Sequence, residues 1–177
     1  MTAVPDDETL AASWGALRSR TVNWHSPGPS TALGMTMPGI DYLRAMMHDR
    51  LPAPPIADLM HVKALEVDDG RVVFGCAPDE SMYNAGGLIH GGVACTVLDL
   101  VTGCALITKL PAGKGVVTVE IKVSYLKALQ PSSGPLTATG TVVKGGSRLG
   151  FTEGRITDAG GATAATASAT LLIIDTR

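Results

Sequence analysis

At 177 residues the chain is long enough for one domain with a real core and an added arm. Apolar residues make up 45% and charged ones 17%, a globular composition that excludes a disordered chain. The net charge is −2 and no Lys/Arg cluster occurs, so the basic face of a nucleic-acid binder is excluded too.

The N-terminus, MTAVPDDETLAASWGALRSR, contains the acidic run Asp6-Asp7-Glu8 and no apolar core of the signal-peptide type, which predicts a cytoplasmic protein. Residues 1–36 lack a clear period and read as an arm, with a short helix expected around residues 8–18. Trp14 and Trp24 mark the arm as packing against something. Pro38 opens a better helix, PGIDYLRAMMHDR, with Ile40, Leu43, Met46 and Met47 on one face, and PAPP at 52–55 stops it.

From His61 the pattern alternates. HVKALEVD, a turn at Asp68-Asp69-Gly70 and RVVFGCA predict a hairpin. The loop PDESMYNAGGLI leads to a long helix at about residues 90–109, ended by Leu110-Pro111-Ala112-Gly113. Four strands follow: VTVEIKVSYLK, LTATGTVVK, RLGFTEGRIT and ATAATASATLLII. In the first of them, Val117, Val119, Ile121, Val123 and Tyr125 share a face at period two.

Short links between strands imply an antiparallel sheet. The lone long helix is apolar on most sides and must be covered nearly all round. A curved sheet wrapped about it is one solution, and a partner subunit closing the open side is another. The stretch from Leu88 to Ile107 has the length of a membrane span. Asp99 near its centre would cost about 2.5–3.5 kcal/mol there, and the strands that follow favour a core helix. Cys76, Cys95 and Cys104 are an odd set without a C-x-x-C pair, so neither a disulfide framework nor a zinc site is predicted, and a reducing compartment fits.

Chemistry concentrates on the long helix. Thr96, Asp99 and Gly103 share one stripe on an otherwise oily surface. A carboxylate in that setting is costly unless paired, solvated from a cleft or used. It marks either a functional group or a polar spot near solvent or a subunit contact. His90-Gly91-Gly92 stands at the helix N-terminus, where unpaired N–H groups and the positive dipole end suit an oxyanion. The plainer reading is a tight loop-to-helix junction that needs glycine. His90 fits a loop-holding hydrogen bond better than a catalytic base. Gly91 and Asp99 are eight residues apart, about 12 Å on a helix, too far to act on one reacting group. A two-fold dimer with antiparallel central helices would bring Asp99 to the Gly91 amide of another subunit and make two identical sites.

At these residues the chain resembles the hotdog-fold acyl-CoA thioesterases of the phenylacetate-pathway, PaaI-like group. The resemblance covers about residues 61–174. It rests on Asn84-Ala85-Gly86-Gly87-Leu88-Ile89-His90-Gly91-Gly92 followed by Asp99, and on the strand VTVEIKVSYLKAL. The resemblance implies an α+β hotdog fold, a long central helix wrapped by a curved antiparallel sheet, with an N-terminal helical extension. Residues 1–55 would be the arm and helix, and residues 56–177 the hotdog domain. It also implies hydrolysis of an acyl-CoA thioester by a homodimer or homotetramer with sites at the dimer interface, without metal or other cofactor, nucleic acid or membrane.

Asp99 would activate water or attack directly, and the Gly91 amide would polarise the carbonyl with Asn84 nearby. Thr118 would orient the water, although alternation puts it opposite Val117 and Val119 and makes its access depend on the dimer. Coenzyme A would contact Gly92, Tyr125 and the turn Lys144-Gly145-Gly146-Ser147-Arg148, whose amides and cations suit phosphates. Two rivals stay open. One is a non-catalytic acyl-CoA-binding hotdog protein. The other is a hotdog dehydratase or hydratase using His90 and Asp99 together.

Overall fold

The structure, a computed structural model, describes residues 11–175. The acidic run at 6–8 and the first part of the helix expected over 8–18 lie outside them. Within them, residues 11–13 are helical, closed by the Trp14 N–H on the Ala11 carbonyl at 3.3 Å. No helix or strand follows until helix α1, Pro27–Gly34. The stretch SPGPS therefore starts a helix that the sequence reading treats as arm. Pro27 and Pro29 stand in its first turn, where a missing N–H leaves no bond unmade. Helix α2, Gly39–Met47, is the expected amphipathic one. A five-residue helix α3, Pro55–Leu59, also begins on a proline, so the expected boundary between residues 55 and 56 falls inside its first turn.

The strands and the long helix appear in the expected order. Strands β1, Val62–Asp68, and β2, Arg71–Cys76, form the hairpin. Helix α4 spans Gly91–Ile107. Strands β3 (Lys114–Tyr125), β4 (Leu136–Gly145), β5 (Leu149–Thr157) and β6 (Thr163–Asp175) complete one antiparallel sheet in the order β1-β2-β4-β5-β6-β3. The long helix lies in the concave side of this sheet, as expected. No helix among the described residues is long and apolar enough to cross a membrane.

Small residues let the helix sit close. Gly140 and Gly154 are cross-strand partners on β4 and β5 beneath α4. A Cβ on Gly140 would stand 2.1 Å from the Val101 carbonyl oxygen, so no larger residue fits without moving the helix. Val97, Leu98, Val101 and Ala105 are completely buried against this floor, beside Ala138, Ile156 and Leu171. Thr102 is also buried and returns its hydroxyl to the Leu98 carbonyl at 2.8 Å, which satisfies it within the helix. The far end is pinned to the β1–β2 turn: the Gly70 N–H donates to Thr108 Oγ1 at 2.8 Å, and Lys109 pairs with Asp69 at 2.6 Å.

One expectation about β3 is corrected. The pairing of β3 with β6 shifts between Thr118 and Glu120, a bulge that inserts Val119 as an extra residue. Period two therefore breaks in mid-strand. Val117 and Val119 face outward and are exposed, while Ile121 and Val123 pack on the core. Tyr125, on the inward parity with these two, reaches the start of α4. Thr118 takes the inward position beside the helix.

The helical extension is keyed to the long helix. The Gly39 N–H donates to the Leu110 carbonyl at 3.0 Å, and a Cβ there would fall 2.1 Å from the Ile107 carbonyl oxygen. Arg44 of α2 bonds the Val67 carbonyl of β1 at 3.0 Å. Farther back, Arg20 clamps the arm to the Leu59 carbonyl at 2.7 Å and to Asp79 at 2.9 Å. What remains open on α4 is a stripe of half-buried residues, with Cys95, Thr96, Asp99, Leu100, Gly103 and Cys104 along it.

Candidate active site

The loop before α4 is built by its own polar side chains. Asn84 Oδ1 accepts from the N–H groups of Gly86 at 2.9 Å and Leu88 at 3.2 Å, the turn-forming habit of this residue type. The Asn84 N–H closes on the Leu88 carbonyl at 2.8 Å, and the His90 N–H on the Met82 carbonyl at 2.9 Å. His90 is the N-cap of the helix. Its Nδ1 accepts from the Gly92 N–H at 2.8 Å, which puts the ring proton of a neutral imidazole on Nε2.

This refines the expected pair of glycine amides. Gly92 spends its N–H on His90, and a Cβ there would meet the same Nδ1 at 2.9 Å. Gly91 is the first residue of the helix, so no helical turn can satisfy its N–H, and among the described residues that group has no acceptor. Of the two amides at the positive end of the helix, Gly91 alone remains to polarise an incoming oxygen.

Two turns along, Asp99 is half-buried on the open stripe. Thr118 Oγ1 donates to Asp99 Oδ1 at 2.8 Å. The parity expected for Thr118 is thereby corrected: the bulge at Val119 changes the inward face of β3, and the Thr118 hydroxyl meets Asp99 within the same chain. The hydrogen bond fixes one carboxylate oxygen, and Oδ2 has no hydrogen-bond partner among the described residues. Cys95 lies between Gly91 and Asp99 at helical spacing, and Thr96 donates to the Gly92 carbonyl at 2.9 Å.

Tyr125 stands at the helix start. Its hydroxyl donates to the Gly91 carbonyl at 3.0 Å, and its ring lies 3.4 Å from where a Gly91 Cβ would be. Burial, then the neighbouring Cys95, pushes its phenol upward in pKa. The turn from Lys144 to Arg148, with Gly145, Gly146 and Ser147 between, is fully exposed and lies elsewhere. Its backbone joins β6 through Arg148 O and Ile173 N–H at 2.8 Å, and the adjoining Gly150 sits under Leu106 near the helix C-terminus. Ile173 pairs with Val116, whereas Tyr125 ends the same strand, on the order of 25 Å away. One chain therefore groups Asn84, His90, Gly91, Gly92 and Tyr125 at one end, Asp99 and Thr118 in the middle, and the basic turn at the other end.

Two cysteines are poorly suited to act as nucleophiles. Burial raises the Cys76 thiol to about 11, and burial together with the Asp99 carboxylate raises Cys104 to about 12.

The chain matches the thioesterase superfamily over residues 86–165. A protein of Saccharolobus solfataricus named as an esterase is 29% identical over 137 residues, covering 77% of this chain and 96% of the relative. A Ralstonia eutropha phenylacetic acid degradation-related protein named as a thioesterase superposes with a TM-score of 0.69 at 24% identity, covering 74% of this chain and 98% of that one. A Streptococcus mutans protein solved with acetyl-CoA bound superposes with a TM-score of 0.60 at 23% identity, covering 66% and 90%.

Proposed function

We propose, from the premise that this is a hotdog-fold chain whose residues 86–165 are a thioesterase-superfamily domain, that the protein hydrolyses acyl-CoA thioesters to free acid and coenzyme A. The observation that carries the reading is the 2.8 Å bond from Thr118 to Asp99 on the open stripe of the helix. A half-buried carboxylate held by one oxygen is a base aimed with the other. Water between Asp99 Oδ2 and the Thr118 hydroxyl donates a proton to Asp99 as its oxygen adds to the thioester carbonyl. The oxyanion forms against a Gly91 N–H at the positive end of a helix, where one lost donor typically costs about 2.7–4 kcal/mol. Collapse breaks the C–S bond, and the departing thiolate takes the proton back from Asp99.

The geometry argues for a shared site. Within one chain, Gly91 and Asp99 lie about 12 Å apart along the helix axis. A two-fold axis that sets two central helices antiparallel joins Asp99 of one protomer to Gly91 of the other. The same operation carries the turn Lys144–Arg148 of one protomer toward the Gly91 and Tyr125 end of its partner. Lys144 and Arg148 then meet coenzyme A phosphates. The acetyl-CoA bound by the Streptococcus mutans protein fits this substrate class. In this role Asn84 and His90 shape the loop that presents the Gly91 amide.

The test is thiol release from a panel of short, long and aryl CoA esters. Asp99→Asn keeps the shape of the site and is expected to lower kcat at least ~100-fold. An Asp99→Asn protein that turns over a good substrate at the wild-type rate overturns the assignment. A wild-type protein that binds these esters without releasing thiol favours a binding protein instead.

A further inference from the structure

The helical extension encloses a space that the chemistry above leaves unassigned. A cavity of about 700 Å³ lies between α2, the segment 49–58 and the open side of α4. That size falls within the ordinary range of small-molecule sites. Its inner wall is Leu100, Cys104 and Ile107 from α4, with Phe74 from β2 and Met46 and Met47 from α2 opposite. Leu100 follows Asp99 directly in the helix, and the Cys104 thiol feels the Asp99 carboxylate. The cavity therefore begins where the proposed reacting carbonyl ends.

The shape favours a chain over a compact ring. From Leu100 to Ile107 the wall runs seven residues down the helix, about 10 Å. Gly39 seals that end, where α2 touches the Ile107 carbonyl. Two adjacent methionines give a wall of unbranched, deformable side chains, the kind that follows a flexible ligand. At the solvent rim stand Asp49, Arg50, Asp58 and Lys63, two acids and two bases. Their charges cancel, so the rim selects no ionised group and the interior selects hydrocarbon.

We infer that this cavity is the acyl pocket of the enzyme, built by the N-terminal extension, and that it takes a medium-chain aliphatic acyl group. The inference rests on the acyl-CoA reading for its substrate class. It goes beyond that reading in saying which segment holds the tail and which tails fit. Medium-chain esters are the preferred substrates, and acetyl esters are poor because they leave the pocket unfilled.

Two measurements test it, one of them independent of turnover. The chain has seven methionines, so a sample labelled on the methionine methyl groups gives a sparse spectrum. Titration with S-decyl-CoA, a thioether that cannot be hydrolysed, is expected to shift the Met46 and Met47 methyls and leave Met60 and Met82 in place. Binding of the thioether without movement at Met46 and Met47 overturns the pocket, as does failure of the thioether to bind. A shift of those methyls with protein concentration alone, and none with thioether, assigns the cavity to a second copy and also overturns it.

The second measurement is selectivity. Ala53→Phe pushes a ring into the cavity from the segment after α2. The decanoyl-to-acetyl ratio of kcat/KM is expected to fall at least ~10-fold, the loss typical of excluding even one methylene from an apolar pocket. An unchanged ratio in a folded Ala53→Phe protein overturns the pocket, and if that variant does not fold the methyl titration still decides. If no CoA ester releases thiol with the wild-type protein, the hydrolase reading fails, while the methyl shifts still report whether the tail occupies the cavity.

Discussion

Removing the Thr118 hydroxyl while keeping its shape, as in Thr118→Val, takes from Asp99 the bond that aims it. A hydrogen bond to a charged group contributes about 1.5–3 kcal/mol to stability, so the melting temperature is expected to fall, and a base no longer held in place is expected to lower kcat on the order of 10- to 100-fold. Wild-type kcat in that variant would remove Thr118 from the mechanism. A second threonine behaves in the opposite way. Thr152 on β5 is 2% exposed, and its hydroxyl has no partner among the described residues. A buried unpaired hydroxyl costs about 1–3 kcal/mol, so Thr152→Val is expected to raise Tm. A lowered Tm would mean that the hydroxyl is satisfied after all. The two threonines look alike in sequence, each in an alternating strand. Their burial and the presence or absence of Asp99 opposite distinguish them, and both are tertiary facts.

At the scale of elements, the seat of the central helix is set by what is missing from the sheet beneath it. Gly140→Ala would drive a methyl into the Val101 carbonyl, a backbone atom that cannot rotate away. Overpacking of this kind costs about 1–3 kcal/mol, and a rigid neighbour puts Gly140→Ala at or above the upper end. Chemical denaturation reads the loss directly, and a variant as stable as wild type would show that the helix can lift at no cost. The elements themselves were largely legible. The hairpin turn at Asp69-Gly70, the alternation of β5 and the apolar run of α4 each report a local preference in composition and spacing. The miscast pieces have local reasons too. Helix α1 hides behind prolines that usually break helices and here open one. The Val119 bulge leaves no mark in a strand where four β-branched residues run in succession from Val116 to Val119.

For the whole molecule, the arm is tied down by charge. Asp79 accepts from the Ser81 hydroxyl and N–H and from Arg20, and these contacts hold its carboxyl down at about 2 against an ordinary 3.8. A carboxylate lowered on folding adds stability that is present above pH ~4 and is lost as pH falls toward about 2. The site is partly exposed, so solvent screens the effect and it is modest. Asp79→Asn is expected to lower Tm at pH 6 and to match wild type near pH 2. An equal deficit at both pH values would make the contact one of packing rather than charge.

By itself the sequence determined the α+β class and the order of hairpin, long helix and four strands, and it marked the stretch Asn84–Asp99 as the candidate place of chemistry. These are local matters of periodicity, turn residues and motif spacing, and each is decided within a few residues along the chain. Only the tertiary structure decided that Thr118 meets Asp99, that His90 consumes the Gly92 amide and leaves Gly91, and that α2 roofs an apolar cavity on the open side of the helix. The first and last depend on a one-residue bulge and on Gly39, which permits close approach, and they join parts of the chain that no short window of sequence contains together; the second is local but turns on a ring orientation that residue types alone do not report.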